Sequence, residues 1–157
     1  MSDSILYDPN LNREDSYQQI IPQLQSLISN EDNQIANMAN ATSVLKEVFD
    51  WLWIGFYLKD KDNLVLGPFQ GPLACTRIEF DKGVCGKAYS TKSSIIVPNV
   101  DEFPGHIACS SLSKSEIVIP GIKEGKVEFV LDIDSEILND FDVMDQNYLE
   151  KIVKLLV

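Results

Sequence analysis

Basic residues are scarce in this sequence, with 13 Lys+Arg against 24 Asp+Glu and a formal charge of −11. Nucleic-acid binding needs clustered cations to neutralise phosphates, and no such cluster exists, so nucleic acid is excluded as a partner. An anionic membrane surface is disfavoured on the same ground. Long apolar runs are missing as well. A run such as Leu52-Trp53-Ile54-Gly55-Phe56-Tyr57-Leu58 falls far short of the roughly 20 residues that span a bilayer. Met1-Ser2-Asp3-Ser4 lacks the basic start and apolar stretch of a secretory leader, so a cytoplasmic protein is expected. Cysteine is sparse and odd in number, three residues with no Cys-x-x-Cys pair, which argues against a secreted disulfide framework. Internal repeats, low-complexity tracts and a Pro/Gly/Ser linker are absent. What remains is one domain of 157 residues, 45% apolar, long enough to bury a core without a metal or a disulfide.

The order of elements reads as helices, then a sheet, then a closing helix. From about Asp15 to Ile28 the residues Ile20, Ile21, Leu24, Leu27 and Ile28 follow helical spacing, with Pro22 expected to kink the segment or mark a later start. Asn30 is a candidate cap for a second helix, in which Ile35, Met38, Ala39, Thr42, Leu45, Val48 and Phe49 trace an apolar stripe. Trp51 to Leu58 reads as a buried strand, Leu64 to Leu66 as its hairpin partner ended by Gly67-Pro68, and Thr76 to Phe80 as a third strand. A short helix follows over Gly83 to Tyr89, then a strand Ile95 to Val97 and a loop from Pro98 to Lys114. Glu116 to Pro120 and Lys126 to Asp134 are expected to pair through a turn containing Gly121 and Gly125. Asp140 or Asp142 can cap the last helix, whose stripe is Tyr148, Leu149, Ile152, Leu155 and Leu156. The sum is an α/β protein of the α+β type, a central, largely antiparallel sheet flanked by N- and C-terminal helices.

Strand periodicity carries this reading into chemistry. Asp132 and Asp134 point to one face of the last strand, about 7 Å apart, in an otherwise apolar run. Glu116 can lie beside them if the two final strands pair. Trp53 and Tyr57 also share a face, and Gly55 between them leaves room for a ligand or a backbone to approach. Two readings stay open: solvated acids at a strand end, or a site with an aromatic wall and a carboxylate floor that suits a small molecule with a cationic amino group. The cysteines allow several readings too. Cys75, Cys85 and Cys109 together with His106 could hold zinc, although zinc ligands usually come in closely spaced pairs. Cys85 between Val84 and Gly86 suits an inert core position, yet it stands near a helix N-terminus, where a thiol is acidified. His106 is either a loop residue that hydrogen-bonds locally or a base that favours a thiolate at Cys109.

The segments Trp53-Ile54-Gly55-Phe56-Tyr57, Val65-Leu66-Gly67-Pro68-Phe69-Gln70-Gly71, Ala74-Cys75, Gly83-Val84-Cys85-Gly86, Gly105-His106-Ile107-Ala108-Cys109, Ser115-Glu116-Ile117-Val118 and Val130-Leu131-Asp132-Ile133-Asp134-Ser135 stand in this order along the chain. Together they resemble the free methionine-(R)-sulfoxide reductases, enzymes built on a single GAF domain. The likeness runs from about residue 30 to residue 157, with residues 1–29 an N-terminal extension that carries the first helix. It implies reduction of free methionine sulfoxide, with Cys109 as the attacking thiol and Cys75 and Cys85 as resolving or assisting thiols. It also implies that Trp53, Tyr57, Glu116, Asp132 and Asp134 line the substrate pocket. No cofactor is implied, the reductant being an external dithiol such as thioredoxin, and the implied assembly is a homodimer. Ser110 and Phe129 depart from the family pattern, which often has an acid after the loop cysteine and usually a glycine ahead of Val130. For the chemistry to run at neutral pH, Glu116 or Asp134 is expected to hold a proton, its pKa raised by like-charge crowding. Two readings of other classes compete: a GAF module that binds a small ligand without chemistry, which leaves the cysteine set unexplained, and a thiol redox switch for a protein partner.

Overall fold

The computed structural model describes residues 4–157, so the Met1-Ser2-Asp3 stretch weighed above as a leader lies outside the described residues. Two helices, α1 (Arg13–Ile28) and α2 (Gln34–Phe49), precede strands β1 (Trp53–Asp60), β2 (Asn63–Gln70) and β3 (Arg77–Glu79). Helix α3 (Gly83–Thr91) and strand β4 (Ile95–Val97) follow, then β5 (Ser115–Lys123), β6 (Lys126–Ser135) and α4 (Val143–Leu156). All six strands join one antiparallel sheet in the order β3-β2-β1-β6-β5-β4, the expected α+β architecture. Among the described residues no helix is long and apolar enough to cross a membrane.

The sheet divides two apolar clusters by strand parity. Ile54, Phe56, Ile117, Ile119, Phe129, Leu131 and Ile133 face Tyr17, Ile20 and Leu24 of α1, Met38, Ala41 and Leu45 of α2, and Leu149, Ile152 and Val153 of α4. The intervening residues Trp53, Tyr57, Val118 and Val130 face Val84, Cys85 and Ala88 of α3 on the other side. Burial of these apolar side chains is the main drive for closing both layers. Polar ties fix α1 to the start of α4. The Arg13 guanidinium reaches Asp140 at 2.6 Å and Asp145 at 3.2 Å, and the Tyr17 hydroxyl donates to the other oxygen of Asp145 at 2.9 Å. Asp145, fully buried, also completes a capping box with Asp142, which is the cap of α4.

Several boundaries differ from the sequence-based expectation, each for a local reason. Helix α1 runs unbroken from Arg13 through Pro22, because the proline lies on the solvent side, where the carbonyl it leaves unpaired can meet water. The cap of α2 is Asn33 rather than Asn30, its side chain accepting from the Ala36 N–H, and Ile35 and Ala39 of the expected stripe are exposed, the buried face running through Met38, Ala41, Thr42 and Leu45. Gly67-Pro68 does not end β2. The strand continues to Gln70 with a bulge opposite Phe56, a place where the missing N–H of a proline removes no ladder bond. Gly121 is not a turn residue either. The β5–β6 turn is Glu124-Gly125, both at positive φ, and Gly121 lies inside β5 beneath the ring of Phe129. Phe129 points to the helix layer, on the face opposite the acids, edge-on to Phe56 with centroids 5.5 Å apart.

A Cβ on Gly121 would fall within the Phe129 ring. Gly121→Ala should therefore cost about 1–3 kcal/mol of stability, the usual size of core overpacking. In a double-mutant cycle with Phe129→Leu, part of that loss should be recovered as a favourable coupling, measured by denaturant unfolding. Strict additivity would show that the ring is not what demands glycine there.

Candidate active site

The site grows out of the register of three strands. In the β1–β6 ladder Trp53 lies opposite Asp134 and Gly55 opposite Asp132, while in the β5–β6 ladder Glu116 lies opposite Asp134 and Val118 opposite Asp132. Period-two alternation then turns Trp53, Tyr57, Glu116, Asp132 and Asp134 toward one pocket, and all five line it. Asp132 is 6% exposed and Asp134 half-buried, so the reading of these two as solvated strand-end acids fails for Asp132; Glu116 beside them is 5% exposed. Around them the pocket is closed by Ile107 of the quoted loop segment and by Leu73, Lys82 and Ser113, which the sequence reading did not single out.

The aromatic wall also braces the loop above it. Trp53 and Tyr57 stack with centroids 5.9 Å apart, and Trp53 stacks on Phe69 at 5.4 Å. The Trp53 indole N–H donates to the carbonyl of Pro72 at 3.1 Å, and the Tyr57 hydroxyl donates to the carbonyl of Cys75 at 2.9 Å. Gly55 does leave room, but not for a ligand: a Cβ there would collide with the Trp53 ring and with Cβ of Phe69, so the space belongs to the wall itself.

Across this braced loop, Cys75 and Cys109 form a disulfide, with Cα atoms 5.6 Å apart. Cys109 lies in the exposed loop between β4 and β5, and Cys75 is half-buried. The zinc reading built on three thiolates fails on this point, since two of the three sulfurs are bonded to each other. Cys85 is free and buried in the first turn of α3, which opens at Gly83, a residue at φ +60 that favours glycine. The expected acidification by the helix N-terminus does not prevail. Burial, followed by the nearby Asp132 and Glu116, pushes the Cys85 thiol well up. His106 meets Glu116, with Nε2 3.1 Å from Oε2.

Among the described residues no lysine or arginine lies within ion-pair distance of the three acids, so burial governs their protonation. Desolvation comes first in each case. Glu116 is raised by burial and then by the charge of Asp134, and Asp132 by burial and then by the charge of Glu116. Asp134 is pushed up to about 8 by burial and by Asp132, although the Ser113 hydroxyl donates to it at 2.5 Å and favours its charged form. Asp132 keeps one carboxyl oxygen, Oδ1, buried without any hydrogen-bond partner. Such an atom calls for a donor, and an incoming ammonium group would supply one.

No family model matches the chain. It is 57% identical over 145 residues to GAF domain-containing protein A of Dictyostelium discoideum, covering 92% of each chain. It is 42% identical over 164 residues to the free methionine-R-sulfoxide reductase of Saccharomyces cerevisiae, covering 99% of this chain and 91% of that one. The fold superposes with a TM-score of 0.95 and 47% identity on the free methionine-R-sulfoxide reductase of Neisseria meningitidis, a structure solved with its substrate, covering 98% of this chain and 93% of that one.

The raised carboxyls have a consequence for stability. In the folded protein they keep protons to a higher pH than in the unfolded chain, so between the unfolded and folded pKa values the folded state binds more protons and stability falls as pH rises. The melting temperature should drop by at least ~3 °C between about pH 5 and pH 8, the window that the Asp134 value near 8 defines. Asp134→Asn should flatten that slope when melting is followed by circular dichroism. An unchanged slope in the variant would remove Asp134 from the buried, proton-holding set.

Proposed function

The chain belongs to the free methionine-R-sulfoxide reductase family of GAF-domain proteins, and from that premise we propose that it reduces free L-methionine (R)-S-oxide to L-methionine through the thiol of Cys109. The observation that carries this reading is the disulfide between Cys75 and Cys109 above a pocket of three buried or half-buried acids and two stacked aromatics.

The steps follow from sulfur chemistry. The Cys109 thiolate attacks the sulfoxide sulfur while Asp134 or Glu116 gives a proton to the sulfoxide oxygen. The oxygen passes to Cys109 as a sulfenic acid, the sulfur–oxygen bond of the substrate breaks, and methionine leaves. The Cys75 thiol then condenses with the sulfenic acid, releasing water and closing the Cys75–Cys109 disulfide. Two thiolates of an external dithiol reopen it by exchange, thioredoxin being the proposed donor, in the reducing cytoplasm that such a cycle requires. A protonated carboxyl near pH 7 is available because the pKa of Asp134 lies near 8 and that of Glu116 is also raised.

Recognition of the free amino acid rests on Asp132, whose orphan oxygen takes the α-amino group, and on Trp53 and Tyr57, which cover the side chain. A peptide-bound sulfoxide has no ammonium to bring to that buried oxygen, so the pocket discriminates against it. Cys85 is assigned no part in the disulfide relay, because its thiol is buried and its pKa raised. A thiol redox switch would also form the Cys75–Cys109 bridge, but it would release no methionine.

The division of labour is tested by methionine released per enzyme without reductant. Cys109→Ser should release none. Cys75→Ser should release one equivalent, with thioredoxin-driven turnover reduced at least ~10-fold because the sulfenic acid has lost its partner. Cys85→Ser should still close the Cys75–Cys109 bridge, as read by peptide mass. One equivalent from Cys109→Ser would move the nucleophile elsewhere. The fixed geometry of acid and thiol also sets stereochemistry. Racemic free sulfoxide should stop at about half conversion with the R form consumed, and complete conversion would contradict the pocket.

A further inference from the structure

Cys85 is the one thiol that the relay leaves unused, and its surroundings form a donor set. Its Sγ and one ligand oxygen each from Glu116 and Asp132 lie within 4.8 Å of one another. The three residues are 3%, 5% and 6% exposed and come from three elements, α3, β5 and β6, so their spacing is held by sheet register and helix packing. A second observation is independent of that spacing: Asp132 is 6% exposed, and its Oδ1 is buried with no hydrogen-bond partner. His106 Nε2 stands 3.1 Å from Glu116 Oε2, the kind of contact by which a histidine orients a metal-binding carboxylate.

We propose that Cys85, Glu116 and Asp132 form a binding site for a thiophilic divalent cation such as Zn²⁺, with the fourth position open to the pocket. One sulfur and two carboxylate oxygens suit a tetrahedral zinc or cobalt ion, whereas Mg²⁺ and Ca²⁺ demand more oxygen ligands and gain little from sulfur. The bound ion occupies the oxygens that face the substrate, so zinc acts as a competitive inhibitor. That consequence rests on the reductase reading, while the site itself does not.

The oxidised protein gives a clean test, because with Cys75 and Cys109 bonded Cys85 is its only free thiol and no turnover can occur. Titration of the oxidised, untagged protein with Co²⁺ should produce one equivalent of a thiolate-to-cobalt charge-transfer band, which Zn²⁺ bleaches and equimolar Mg²⁺ does not. Cys85→Ser should abolish the band and weaken Zn²⁺ binding, followed by competition with a chromophoric chelator, by at least ~100-fold, and Asp132→Asn should weaken it comparably. The smaller outer-partner change His106→Gln should weaken it roughly 10-fold. Absence of the band, or equal Zn²⁺ affinity in the oxidised wild type and its Cys85→Ser form, would overturn the site. In the reduced enzyme, Zn²⁺ should raise KM for methionine sulfoxide without lowering kcat. If the cobalt band forms but this inhibition is absent, the metal site stands and the placement of substrate over Asp132 is wrong.

Discussion

The pairing of β6 with β1 on one side and β5 on the other is the constraint on which the molecule depends. Each residue of the Phe129–Asp134 segment is committed to a face by that register. Phe129, Leu131 and Ile133 enter the helix-covered core, and Val130, Asp132 and Asp134 enter the α3 side. A slip of one residue would send two carboxyls under α1, α2 and α4 and expose the core residues to the pocket, so the apolar layer specifies the register very strongly. The acids are therefore carried into a buried position by the burial of their neighbours. Their individual desolvation is unfavourable, and the fold tolerates it because the same strands bury seven large apolar side chains on the opposite face.

Once placed there, the acids are not equivalent. Glu116 has His106 beside it, Asp134 has the Ser113 hydroxyl, and Asp132 is left with an unmatched oxygen. Three carboxyls that cannot all ionise in one pocket divide protons among themselves according to such partners. Burial and mutual repulsion raise the pKa of all three, so the pocket floor favours protonated carboxyls. The aromatic wall has a double part in this. Burial and the neighbouring acids keep the Tyr57 hydroxyl protonated, and as a donor it holds the carbonyl of Cys75, so the wall of the pocket and the position of a thiol above it are set by one side chain.

Much of this was legible in the sequence, because strand parity is local. The shared face of Asp132 and Asp134, the alignment of Trp53 with Tyr57, the apolar stripes of α2 and α4 and the Asp142 cap all follow from residues a few positions apart. What could not be read depends on partners far along the chain. Pro22 is tolerated because of the direction in which α1 presents it, and Gly67-Pro68 bulges rather than stops because β1 continues beside it. Gly55 looked like space for a ligand, yet the ring that fills it belongs to Trp53, two residues away, in a rotamer that only Phe69 and the Pro72 carbonyl define. Ser113 carried no signal at all, since a serine in a loop is ordinary until its hydroxyl is found against Asp134.

The cysteines show most sharply why local sequence cannot assign chemistry. Cys85 occupies the position that acidifies a thiol in isolation, the first turn of a helix, whereas Cys109 lies in an irregular loop with no such feature. The helix N-terminus favours the thiolate, while burial, followed by the nearby Asp132 and Glu116, disfavours it. The larger effect wins, and Cys85 is held as a protonated thiol against the pocket floor. Cys109 is exposed in its loop and is disulfide-bonded to Cys75. Access and desolvation, both properties of the assembled sheet and loops, thus separate an exposed, disulfide-bonded sulfur from a buried free thiol.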